Sequence, residues 1–157
     1  YLYNTMEGHR KIAVVLQETW RRELGVNLVL ENQEFKVTID RRRAGDYDIA
    51  RAGWVADFKD PINFLEMFDS KSENNDSKWF DEHYDAMLAA ARAEVDADRR
   101  MQLLREAELY LLENAPMIPI YFYVQNYLCA PELQGYVLNE TGMFDPARLA
   151  WSKPAEE

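Results

Sequence analysis

Between Tyr1 and Trp54, short apolar runs alternate with longer stretches of helical spacing. Tyr1 to Asn4 reads as a short strand, and Thr5 is placed to cap the next segment. His9 to Leu24 has helical spacing, with Ile12, Val15, Leu16, Thr19 and Trp20 able to share one face. Gly25 is positioned to end that helix. Val26 to Leu30 runs Val-Asn-Leu-Val-Leu and predicts a largely buried strand. Phe35 to Ala44 predicts a short basic helix closed by Gly45, and Tyr47 to Trp54 a further apolar strand centred on Ile49 and Ala50. Strands joined by crossovers of about a dozen residues or more pair in parallel rather than as hairpins. The order strand–helix–strand–helix–strand therefore specifies an α/β layer.

The rest of the chain reads as helices and then loops. Asp60 is placed to cap a helix that Pro61 begins and Met67-Phe68 closes. Asp69 to Lys78 is a polar surface loop. Asp81 to Val95 predicts a helix with Tyr84, Met87, Leu88 and Ala91 on one face. Asp96 caps another, whose buried stripe is Met101, Leu104, Ala107 and Leu111, and Ala115-Pro116 stops it. Met117 to Leu128 is strand-forming and includes the aromatic run Tyr121-Phe122-Tyr123. From Ala130 onward, Pro131, Gly135, Gly142, Pro146 and Pro154 mark a loop-rich end.

Composition excludes several classes. With 28 acidic and 18 basic residues the net charge is −10, so nucleic acid and anionic lipid are poor partners. The cluster Arg41-Arg42-Arg43 is too short to reverse that. The longest apolar stretch, Met117 to Val124, falls well short of the ~18–20 residues that span a bilayer. One cysteine permits no internal disulfide, and two distant histidines give no metal-ligand spacing. Cys129 reads as a small buried apolar residue rather than a nucleophile. With no glycine-rich phosphate cradle and no nucleophile–base pair, the chain is expected to need no cofactor or metal and to catalyse nothing.

The stretch that carries chemistry is Asp48-Ile-Ala-Arg-Ala-Gly-Trp-Val-Ala-Asp57, running on to Asp60-Pro61. A buried strand ends in Arg51, then Gly53, Trp54 and Asp57, and strand ends form the ligand crevice in open α/β layers. A guanidinium, a large ring and a carboxylate together suit a zwitterion: carboxylate on ammonium, guanidinium on carboxylate, indole over the chain between. On spacing alone, Arg51 and Asp57 pairing with each other or with the surface is slightly favoured.

The same stretch resembles the family 5 extracellular solute-binding proteins, and among them the oligopeptide-binding ones. The resemblance is carried by Arg51-Ala-Gly-Trp-x-Ala-Asp57. Tyr3-Asn4-Thr5, His9 to Ala13, Leu24-Gly25-Val26, Asn32 to Lys36, the helix Arg100 to Asn114 and Pro116 to Tyr123 support it, and it runs in order to about Asp145. It implies a type II periplasmic-binding-protein lobe. Residues 1–130 would be the later part of the peptide-binding, third-domain-like lobe, and residues 131–157 a tail returning towards the first domain. Tyr1 to Asn4 are already strand-like, so the signal of an exported protein is expected to lie outside this sequence, and the abrupt start suggests a piece of a longer protein.

The resemblance further implies a receptor that closes on short peptides and hands them to the permease of an ABC importer. It would stand in a periplasm, or outside the cell on a lipid anchor. Asp57 matches the carboxylate that takes the peptide ammonium. Arg51, and to a lesser degree Arg42 and His9, match positions near the peptide carboxylate, while Trp54 and Phe35 match pocket walls. Phe35 departs from the usual tryptophan, and Val55 also departs from the pattern. Beside these roles stand plainer ones: His9 as a solvated helix end, Phe35 as core, and Arg42 as part of a solvated face. Beside the function stand a peptidase, a receptor for a nickel chelate or murein peptide, and a protein-interaction module. Apolar surface left by absent sister domains would drive self-association.

Overall fold

The computed structural model describes residues 1–124, 126–139 and 141–152. Strand β1 (Leu2–Asn4) is buried throughout and forms the centre of the first half. It pairs in parallel with β2 (Glu31–Gln33), Leu2 opposite Glu31 and Asn4 opposite Gln33. On its other side Leu2 bridges Ala50, also in parallel, with Leu2 N–H donating to the Ile49 carbonyl and Arg51 N–H to the Leu2 carbonyl, both at 2.8 Å. Helices α1 (Glu7–Leu24) and α2 (Phe35–Ala44) are the crossovers, and both pack on β1. Gly25 and Gly45 close them at φ 68° and 74°, a conformation glycine adopts without steric cost. This is the parallel α/β layer that the alternation specifies.

The second half is a helical layer. A short helix α3 (Ile62–Leu65) runs into a 3₁₀ turn ending at Phe68, and α4 (Glu82–Ala93) and α5 (Ala97–Asn114) form a hairpin. Asp81 and Asp96 cap α4 and α5, accepting from Tyr84 N–H at 2.9 Å and Arg99 N–H at 2.8 Å. Ile62, Leu65, Tyr84, Leu88, Ala91, Leu104, Ala107 and Leu111 make one core. Burying each of the larger side chains contributes about 1.5–3 kcal/mol. The Tyr84 hydroxyl donates to the Leu65 carbonyl at 2.9 Å, tying α4 to α3. Among the described residues, no helix is long and apolar enough to cross a membrane.

Several local expectations are corrected. Val26 to Leu30 is not the second strand; pairing with β1 falls at Glu31–Gln33. Leu28 alone turns inward there, its carbonyl accepting from Gln17 Nε2 at 2.7 Å, while Val29 is exposed. Tyr47 to Trp54 reduces to the single bridge at Ala50. The buried face of α1 is built on His9 and Ala13, and Val15 points to solvent. Met101 lies outside the buried stripe of α5. Among its described residues, Met117 to Leu128 forms no strand, and Ile118, Ile120, Phe122, Val124 and Leu128 are exposed. Cys129, expected to be a small buried residue, is exposed too. Beyond it, β3 (Leu133–Gln134) and β4 (Ala150–Trp151) pair antiparallel, beside an aromatic cluster of Tyr127, Tyr136 and Phe144 with centroids 4.8 Å apart along the series.

Candidate functional site

Arg51 leaves the layer immediately after the Leu2–Ala50 bridge, so its direction is fixed by the central strand. Its guanidinium is partly buried and lies 5.8 Å from the centre of the Tyr123 ring. Burial works against its charge first, and the nearby phenols of Tyr121 and Tyr1 act the other way. No carboxylate of the described residues pairs with it. Gly53 makes this arrangement fit: a Cβ there would stand 3.1 Å from Arg51 Nη2 and 3.3 Å from Tyr123 Cε2.

His9 lies on the inner face of α1, 6% exposed, and its Nδ1 has no partner among the described residues. Burial, and after it the Arg51 charge, hold the imidazole below its ordinary pKa, with a partial offset from the Asn4 backbone. His9 is thus no solvated helix end, and the charge of Arg51 reaches it. Arg42 is drawn away from this pair. It forms an ion pair with Asp76, both side chains being mostly buried, and the Tyr47 hydroxyl donates to the Asp76 carbonyl at 2.8 Å. The polar loop 69–78 is anchored here and by Asn75, which donates to the Trp79 carbonyl at 2.8 Å. Arg42 serves this anchor, although its charge still reaches Arg51.

Trp54 and Asp57 are brought together by a residue the spacing did not single out. Asn63, the second residue of α3, is 3% exposed. Its Oδ1 accepts from Trp54 Nε1 at 2.9 Å and from Asp57 N–H at 3.0 Å, and its Nδ2 faces Asp57 Oδ2 at 3.4 Å. The turn is pinned again at Asp60, whose two oxygens hold the Arg100 guanidinium at 2.8 and 3.1 Å while one accepts from Ile62 N–H at 3.0 Å. The Asp57 carboxylate itself is exposed and meets no cation of the described residues. Arg51 and Asp57 therefore do not pair with each other. Phe35 opens α2 behind its cap Glu34 and is 60% exposed, so it is not core.

An unpaired partly buried cation, an exposed carboxylate and, between them in sequence, an indole are the groups that suit a small zwitterion. Sequence reasoning missed Asn63, and with it Tyr1 and Asp76. The aromatic run at Tyr121 to Tyr123 stood out in the sequence only as part of a strand and not as a neighbour of Arg51; Asn63 left only the weak signal of one amide in Ile62-Asn63-Phe64-Leu65.

Residues 1–76 match the family described as bacterial extracellular solute-binding proteins, family 5 middle. The oligopeptide-binding protein OppA of Bacillus subtilis is 41% identical over 141 residues, covering 89% of this chain and 26% of that protein. The periplasmic murein peptide-binding protein MppA of Escherichia coli is 40% identical, covering 97% of this chain and 27% of that protein. The crystal structure of Haemophilus influenzae OppA in complex with RPPGFSPFR superposes with a TM-score of 0.84 at 36% identity, covering 97% of this chain and 30% of that one. The chain spans about a quarter of the length of the curated relatives it matches. With the motif, the parallel layer and these likenesses in agreement, the chain belongs to the family 5 bacterial extracellular solute-binding proteins.

Proposed function

We propose that this chain supplies one wall of a receptor that binds short peptides, without chemical reaction, for delivery to the permease subunits of an ABC transporter. The observation that carries the reading is the pair of unmatched charges: Arg51 without a carboxylate and Asp57 without a cation among the described residues, with Trp54 between them in sequence. Asp57 would take the peptide ammonium. Arg51, with His9 beside it, would take the peptide carboxylate, and Trp54 and the exposed Phe35 would line the chain between. Arg42 would contribute only through its field, because Asp76 already holds it.

A receptor of this kind gains affinity from the charged ends and main chain of its ligand, leaving side chains in hydrated space. Closure of an opposing lobe would remove water and strengthen both end contacts. Residues 1–130 would belong to the peptide-binding lobe and 131–157 to a returning tail. The exposed run Ile118, Ile120, Phe122, Val124 and Leu128 would be covered by the remainder of the protein and would otherwise drive self-association. The location would be periplasmic, or outside the cell on a lipid anchor.

The likeness to the murein peptide-binding protein over 97% of this chain favours a murein peptide as the second reading. Native mass spectrometry of the full-length protein against mixed tri- and tetrapeptides, a murein tripeptide and a nickel chelate separates these. The expected result is capture of unmodified peptides and their recovery intact. Capture of the chelate alone, or recovery of cleaved peptide, would sink the reading.

A further inference from the structure

We infer that Asn63 is a positioning residue for recognition of the ligand's ammonium, acting through Asp57 and Trp54 rather than touching the ligand. The inference rests on the reading of Asp57 as the partner of the peptide ammonium. Three observations carry it. Asn63 is 3% exposed, so its amide is withdrawn from water and its bonds are those the fold supplies. Its single Oδ1 joins the indole N–H of Trp54 to the backbone N–H of Asp57, which fixes the wall and the start of the carboxylate-bearing residue relative to one another. Its Nδ2 lies on the Asp57 Oδ2 side at 3.4 Å, leaving the other oxygen of that exposed carboxylate clear. No other residue of the described chain bonds to both Trp54 and Asp57 side chains.

The reason for an amide at this place lies in its chemistry. An aspartate would supply the acceptor but set a second negative charge against Asp57. A serine is too short to accept from both N–H groups and donate as well. An asparagine offers one acceptor to two donors and one donor to the carboxylate, and it adds no charge that would compete for the ammonium. The α3 turn that carries it is locked in turn by Asp60 with Arg100 and by Tyr84 on the Leu65 carbonyl, so the amide has little freedom to follow its partners.

The test is calorimetric titration of the full-length protein with trialanine and N-acetyl-trialanine, using wild type, Asp57→Asn, Asn63→Leu and Asn63→Asp. Asn63→Leu keeps the branched shape, with somewhat more bulk, and removes all three bonds. It is expected to weaken trialanine roughly 5- to 30-fold, the scale of leaving buried donors unpaired, and the acetylated peptide less than about twofold. Asn63→Asp keeps the acceptor and places a second carboxylate against Asp57, so the pair holds a proton to higher pH. Its affinity for trialanine is expected to fall, relative to wild type, as pH is lowered from about 7 to about 5, with no such fall for the acetylated peptide. A merely structural residue would weaken both ligands alike in Asn63→Leu; that pattern overturns the inference. Should Asn63→Leu fail to fold, Asn63→Ala, which removes the same three bonds without added bulk, decides by the same comparison of the two ligands. If Asp57→Asn treats the two ligands alike, the peptide-end reading falls and this inference with it. If Asp57→Asn discriminates and the Asn63 variants do not, only the inference falls.

Discussion

Replacing Asp57 by asparagine removes one charge and keeps the shape of the side chain. Among the described residues the carboxylate is exposed, accepts only from Asn63 and meets no cation, so the substitution breaks no ion pair among them. Stability should change little, by less than about 0.5 kcal/mol. The effect on binding is set by how far the site loses its water. Two unit charges about 4 Å apart attract by about 1 kcal/mol in bulk water and about 4 kcal/mol at the effective dielectric of a protein surface. Truncating one partner of a desolvated pair costs about 2–5 kcal/mol, which is roughly 30-fold to several-thousand-fold in Kd. The assay is a calorimetric cycle of wild type and Asp57→Asn, in the full-length protein, against a free and an N-acetylated tripeptide. The acetylated ligand brings no ammonium, so it should bind wild type weakly and lose little more in the variant. Equal weakening of both ligands would refute the ammonium role and leave Asp57 as a residue of the turn.

Three further outcomes are expected. Gly53→Ala should push the Arg51 guanidinium or Tyr123 aside by a few tenths of an ångström, because the new Cβ would lie 3.1 and 3.3 Å from them; peptides with a free carboxylate should weaken more than their C-terminal amides in parallel titrations. His9 is held below its ordinary value of 6.5, so the unfolded chain binds a proton that the folded one resists. Its contribution is fully present above about pH 6.5 and is lost as pH falls from there towards the depressed value; urea unfolding across that range should show a slope that His9→Gln reduces. Leu88→Ala empties part of a core in which Leu88 is fully buried, and should cost about 2–5 kcal/mol by urea unfolding, whereas the exposed Val29→Ala should cost less than about 0.5 kcal/mol.

The elements whose signal is local could be read from the sequence. Gly25 and Gly45 end their helices because the positive φ found there is open to glycine at no cost, and Asp81 and Asp96 cap theirs because a short carboxylate reaches free N–H groups. The periodicity of α4 and α5 marked Tyr84, Leu88, Leu104 and Leu111, and all four are buried. The parallel order came from crossover length. The motif from Arg51 to Asp57 marked the candidate site because its residue types and order are themselves the signal.

Tertiary structure decided what depends on residues far apart in the chain. Strand pairing is a matter of register against β1, so an apolar run at Val26 to Leu30 could not reveal that the bonds form at Glu31 to Gln33. The run Met117 to Leu128 has strand composition but, among its described residues, finds no strand to pair with here, which leaves its side chains and Cys129 exposed. Arg42 went to Asp76 and Arg51 to no carboxylate, although both are arginines of one short region, because only folding determines which carboxylate comes within reach. Asn63 carries only the weak signal of one amide in an apolar turn: its value lies in standing, by the path of that turn, within bonding distance of Trp54 and Asp57 together. Residue type fixes what a side chain can bond, while the three-dimensional path of the backbone fixes what it meets.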